Sequence, residues 1–171
     1  MSRSLIRRLA GDESGVSAVE FALIAPVMLL FSIFQLGLVF MIDAVAENAV
    51  LEASRLVRTG EAQTKKFDKI AFKQAVCDQM SVFKSDCADR ATIDVRVVTS
   101  FSDDIDPPKD KDGVLDLSQM DFKGGVGQDL IIVRLWYKQP MIVPALTQAV
   151  SSAGPGQIMI SSTTAFRNEP F

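Results

Sequence analysis

The sequence predicts an α+β protein: one long amino-terminal helix carrying a small head with an antiparallel sheet and a second helix. Three observations predict it. From Val16 to Ile42 the chain is almost unbroken apolar sequence, and Glu20 is its only ionisable residue. From Asp43 to Thr59 it contains no Pro or Gly and mixes Ala, Leu and Val with Glu47, Glu52, Arg55 and Arg58, so the helix is expected to continue. Beyond Gly60, three stretches read as strands, at 92–98, 130–137 and 157–166. A chain of 171 residues leaves room for one modest domain besides the helix.

The apolar run is long enough to cross a bilayer. About 27 helical residues at 1.5 Å each reach about 40 Å, against a hydrocarbon core of about 30 Å. Pro26, after Ala25, removes one backbone hydrogen bond and introduces a candidate kink, which membrane helices tolerate. Arg3, Arg7 and Arg8 precede the run, and the positive-inside rule places that end in the cytoplasm. The chain therefore divides into a basic cytoplasmic leader (1–15), a transmembrane helix (16–42), an extracytoplasmic helix extension (43–59) and an extracytoplasmic α+β head (60–171). A cleaved secretory signal competes with this reading, because Ala44-Val45-Ala46 has the small-x-small form of a cleavage site. The run, however, is about twice the usual 7–15 residues of a signal core and carries a carboxylate near its start. An uncleaved anchor is the plainer alternative.

In the extension, Glu52 and Arg55 form an i,i+3 pair, and Gly60 is placed to cap the helix. Val45, Leu51 and Leu56 are expected to face the head. The second helix is expected over 65–82, from the spacing of Phe67, Ile70, Ala71, Ala75 and Val76, with Cys77 in its last turns. A short helix over 144–150 precedes the turn that ends at Gly156. Cys77 and Cys87, ten positions apart, are a candidate disulfide on the oxidising side of a membrane, with a pair of reduced thiols as the alternative.

Many chemistries are excluded by composition. There is no histidine, which removes Ser-His and Cys-His triads and HExxH zinc sites. A net charge of −3 without a basic run, and one Trp with one Tyr, argue against nucleic acid. Pro108 to Gly113 has part of an EF-hand loop, but the pattern needs an acid at Pro108 and a Glu at Gln119. Gly124, Gly125 and Gly127 do not form a dinucleotide fingerprint. No metal and no cofactor are expected. Paired carboxylates such as Asp103, Asp104 and Asp106 keep a tethered enzyme among the alternatives, although an aspartate-rich loop is ordinarily just solvated. The expectation is a protein that is not an enzyme.

Glu20 is the most informative residue. A carboxylate in a spanning helix costs about 2–3 kcal/mol when it lies deep, so it wants a partner. It stands in Gly15-Val16-Ser17-Ala18-Val19-Glu20-Phe21, five positions after a glycine that ends the basic leader. A cut after Gly15 would give Val16 a charged α-amino group, and Glu20 of a neighbouring subunit would be able to neutralise it and set the axial stagger. A Glu snorkelling at the cytoplasmic interface, without cut or partner, is the simpler reading.

Gly15 followed by VSAVEF resembles the class III signal of type IV pilins and pseudopilins. The longer run GVSAVEFALIAPVMLLF resembles the TadE/TadG-like proteins of tight-adherence (Flp) pilus systems. The likeness continues in Glu52-Ala53-Ser54-Arg55 and returns in the ending AFRNEPF, Ala165 to Phe171, while about 60–130 carries none of it. The resemblance implies a pilin-like architecture and a TadE-like minor pseudopilin. On that reading a prepilin peptidase cuts between Gly15 and Val16, and Glu20 and Phe21 act in assembly of the adhesive pilus. Its partners would be the major Flp pilin, sister pseudopilins and the inner membrane. The major Flp pilin carries Glu-Tyr and is very short. Glu20-Phe21 and a head of over a hundred residues therefore mark an accessory subunit, in the bacterial inner membrane or carried into the extracellular filament. An uncleaved single-pass scaffold of the same machinery is the alternative.

Overall fold

The computed structural model describes residues 14–100, 116–143 and 156–171. Helix α1 spans Ser14–Arg58 and runs through Pro26 without interruption. At 1.5 Å per residue it is about 68 Å long, twice what a head of this size can cover. Its end is set by Gly60, whose φ of 79° is the left-handed conformation that glycine adopts without penalty, as expected. Thr59 and Gly60 return their N–H groups to Arg55 and Val57 carbonyls.

After the short α2 (Glu61–Thr64), α3 spans Lys69–Asp78 and α4 spans Lys84–Arg90, with a 3₁₀ turn at Ser81–Phe83 between them. The single helix expected over 65–82 is thus shorter and followed by another. Lys66 has a φ of 52°, and the Asp68 carboxylate accepts from the Ala71 N–H at 2.7 Å, which makes Asp68 the N-cap. No apolar period announces α4, because Cys87 is its only buried residue. Besides the Lys84–Asp78 ion pair at 2.8 Å, two links join α3 to α4. Cys77 and Cys87 are disulfide-bonded with Cα atoms 5.5 Å apart. The Lys73 ammonium donates to the Ala88 carbonyl at 2.6 Å, and its burial lowers its pKa although Asp89 pulls the other way. Cys77→Ser is expected to cost about 2–3 kcal/mol through loss of the loop constraint, read as a lower melting temperature that reductant reproduces in the unmutated protein.

The strands are β1 (Ala91–Val98), β2 (Leu130–Pro140) and β3 (Gln157–Arg167), in the order β1-β2-β3 and antiparallel throughout. All three lie where alternation and apolar runs put them. On one face Ile93 pairs with Leu135, and Val95 with Val133 and then Thr164. Ile131, Val133, Leu135 and Tyr137 of that face are wholly buried. Burial also raises the pKa of the Tyr137 hydroxyl, against the pull of nearby Arg90. The core forms where this face meets Phe72 and Val76 of α3 and a stripe of α1 at Ile42, Ala46, Ala49, Val50, Ala53 and Val57. That spacing is the 3.6-residue period, and its alanines let helix and sheet approach closely. Of the residues expected to face the head, Val45 and Leu56 are half-buried against this core, whereas Leu51 is exposed. It lies off the stripe.

The free edge of β1 is paired in its middle, at Val95. Val95 donates to the Asp121 carbonyl and accepts from the Lys123 N–H, both at 2.8 Å, and Phe122 stacks on Phe72 with centroids 5.1 Å apart. Pairing this edge removes a template for unwanted strand addition. On the opposite face, the buried Asp94 carboxylate accepts from Arg96 Nε at 2.9 Å and from the Asp121 N–H at 3.0 Å.

Candidate assembly surface

The head does not cover the first half of α1. Val19, Phe21, Leu23, Ile24, Leu29, Leu30, Phe31, Ile33 and Phe34 are all exposed. By length and composition this part of α1 is fit to cross a membrane. Ser32, the polar hydroxyl in the middle of it, donates back to the Met28 carbonyl at 2.8 Å, which satisfies it within the helix.

Among the described residues, α1 is first hydrogen-bonded to the head at Gln35, inside the stretch read as transmembrane. Gln35 is buried; its Oε1 accepts from the Val143 N–H at 2.9 Å and its Nε2 lies 3.3 Å from the Met141 sulfur. These bonds fix the lower end of the head on α1. In the sequence Gln35 stands out only as an isolated polar residue in an apolar run, and that isolation is the one signal of its role.

The upper end is fixed by the chain's last residues. The Glu169 N–H donates to the Arg58 carbonyl at 2.9 Å, and the Glu169 carboxylate pairs with Arg58 at 3.2 Å. Asn168 is buried and its Nδ2 reaches the Gly124 and Val126 carbonyls at 2.9 and 3.0 Å. Gln63 Nε2 holds the same Gly124 carbonyl at 2.7 Å from α2. The Phe171 ring lies over Gly60, where a Cβ would stand 2.6 Å from it. The glycine-rich loop is thus bound by the protein's own side chains, and the Asn-Glu-Pro-Phe ending ties α1, that loop and β3 together.

Gly15 and Glu20 lie at the other extreme, on the bare helix. Gly15 is in the first turn of α1, exposed, and a Cβ there would touch nothing within 4 Å. Among the described residues, no contact requires a glycine at this position. Glu20 and Phe21 are both exposed, and Glu20 has no ion-pair partner among the described residues. With about 100° per residue, Glu20 falls on the same side of α1 as Phe31 and Leu38. The remaining leader, the aspartates at 103–106, the calcium-like stretch from Pro108 and the short helix expected at 144–150 lie outside the described residues. Among the described residues no cluster of acids and cysteines is arranged to hold a metal ion.

Among the described residues, the first part of α1 is a bare apolar helix with a lone carboxylate near its start, and the head is clamped to the rest of it at two levels. Residues 15–55 match the family model of the TadE-like protein. The match begins at Gly15, takes in Glu20, Phe21 and Pro26, and closes on Arg55 of the Glu-Ala-Ser-Arg run. It bears out the TadE-like resemblance over this segment and implies involvement in a Tad pilus system. The terminal Asn-Glu-Pro-Phe lies beyond the matched residues. No curated protein and no solved structure matches the chain.

Proposed function

We propose that the protein is a minor pseudopilin of a tight-adherence pilus, acting by helix packing and head contacts and not by catalysis. In this reading a prepilin peptidase cuts between Gly15 and Val16. The new α-amino group of Val16 then meets Glu20 of a neighbouring subunit, so that two charges in lipid neutralise each other and fix the stagger. Arg3, Arg7 and Arg8 hold the leader in the cytoplasm, α1 crosses the inner membrane and the head stands in the periplasm, facing the major pilin or sister pseudopilins. The family match carries the proposal, because it starts at the glycine and includes the carboxylate. An open Gly15 supports it: among the described residues a Cβ there would meet nothing within 4 Å, so packing gives no reason for a glycine.

The test is the amino terminus of the membrane-bound protein, with and without the peptidase. Val16 is expected in the first case and the uncut leader in the second. Gly15→Ala is expected to leave the head's melting temperature unchanged and to abolish the Val16 terminus. An uncut leader in both strains would instead establish the uncleaved scaffold.

A further inference from the structure

Charge positions fix how deep the head sits. Glu20 and Asp43 bound the uncharged part of α1 and are about 23 residues apart, which is about 34 Å of helix. A hydrocarbon core of about 30 Å fits between them with both carboxylates at the interfaces. Gln35 lies about 12 Å below Asp43 on this axis, well inside the leaflet on the head's side. Yet Gln35 is where the head is bonded to the helix. The lower corner of the head must therefore share the depth of Gln35.

The residues at that corner suit such a place. Pro140, Met141, Ile142 and Val143 are all apolar, and Ile142 is 88% exposed although its neighbours Met141 and Val143 are buried. Ile142 and Val143 line one wall of an apolar cleft of about 400 Å³, and Met28, Phe31 and Phe34 of the bare helix line the other. The apolar surface of α1 thus continues onto the head across a cleft whose only polar lining residues are Gln35 and Gln139. Gln35 has both ends of its amide occupied by the corner itself, as a polar side chain requires where water is absent. Lys138, two positions before Pro140 on β2, stands about 7 Å higher, from where its long side chain reaches up toward the interface.

We propose that the Pro140–Val143 corner is a second membrane-contacting element, inserted into the leaflet on the head's side next to α1, with Ile142 as its anchor. Lipid acyl chains fill the cleft between the corner and Phe31. The head is consequently seated on the bilayer at a fixed tilt, and its partner-facing surface keeps one orientation before any subunit joins it. The inference rests on α1 crossing the membrane, and the experiment separates the two.

The native chain has one tryptophan, so Trp136→Phe provides a silent background for single reporters in the full-length protein. Ile142→Trp reports the corner and Leu30→Trp reports the helix, each reconstituted in vesicles of lipids brominated near the headgroup end or near the chain terminus. Both reporters are expected to lose emission to the bromines: the Leu30 reporter, near the midplane, loses most to the deep set, and the Ile142 reporter, at the depth of Gln35, loses a larger share to the shallow set than the Leu30 reporter does. An unquenched, water-like Ile142 reporter beside a quenched Leu30 reporter would overturn the inserted corner while keeping the spanning helix. If neither is quenched, the spanning helix fails and the corner with it. Quenching at 142 that vanishes as vesicles are crowded with protein would assign the cleft to a second copy and overturn the lipid contact. Should Trp136→Phe fail to fold, a nitroxide at Ile142→Cys, read by collision with oxygen against a water-soluble nickel chelate, decides the same question.

Discussion

Ala46→Phe is expected to loosen the head from its helix, with the largest loss of stability of any single substitution argued for this chain. Ala46 is fully buried, one turn above Ile42 and one below Ala49 and Val50 on the stripe that meets the sheet. That stripe alternates small and medium side chains because a helix and a sheet face of similar length lie along each other. The helix from Gln35 to Arg58 rises about 35 Å, and ten steps of β3 cover about 33 Å. A phenylalanine in the middle of the seam has no void to enter. Overpacking of this kind costs about 1–3 kcal/mol when neighbours can shift. Here both neighbours are clamped, by Gln35 at one end and by Asn168 and Glu169 at the other, so the upper end of that range or more is expected. Small domains hold only about 5–15 kcal/mol in total. The measurement is denaturant unfolding in mild detergent, with limited proteolysis of the head as a second readout. Leu51→Phe is the control, since Leu51 is 47% exposed on the same helix and should shift stability by no more than about 0.5 kcal/mol. Equal midpoints for Ala46→Phe and the parent would show that the helix–sheet seam is not the core of this fold.

The parts of the fold that were legible in the sequence are those where burial is periodic. The α1 helix and the three strands each present a repeating apolar face, and strand alternation survives because one sheet face packs on α1 and α3. Helix α4 was not legible. Seven residues with one buried side chain carry no period, and its place is fixed by a disulfide and by Lys73 instead. The extent of the membrane segment was only partly legible, because hydropathy does not distinguish apolar residues facing lipid from those facing a head. Leu38, Val39 and Ile42 continue the apolar run yet pack against the core. Gln35 marks the change, and its meaning depends on a backbone N–H more than a hundred residues away. The terminal Asn-Glu-Pro-Phe drew notice by resemblance alone. Its physical role is to clamp the end of α1 and the glycine-rich loop, which no local pattern encodes.

Glu20→Ala is expected to abolish piliation while leaving the head unchanged, and the two effects have opposite energetic signs. In a lone subunit the carboxylate is a cost of about 2–3 kcal/mol if it lies deep, so its removal makes the helix a better membrane segment. In the proposed assembly the same carboxylate would meet a positive α-amino group. At 4 Å and an effective dielectric of 20 that attraction is about 4 kcal/mol, which offsets most of the cost of burying the two charges and favours one axial offset over its neighbours. Glu20→Gln keeps the shape and hydrogen-bonding reach but not the charge, and should assemble no better than Glu20→Ala. A double-mutant cycle then identifies the partner. If the partner is the amino group released by cleavage, Glu20→Gln adds nothing to a Gly15→Ala background, because the charge it would meet was never made. Additive losses would instead assign Glu20 a partner other than the terminus. Normal pili in Glu20→Ala would end the assembly role altogether, leaving an interfacial carboxylate whose only task is to mark where the membrane begins.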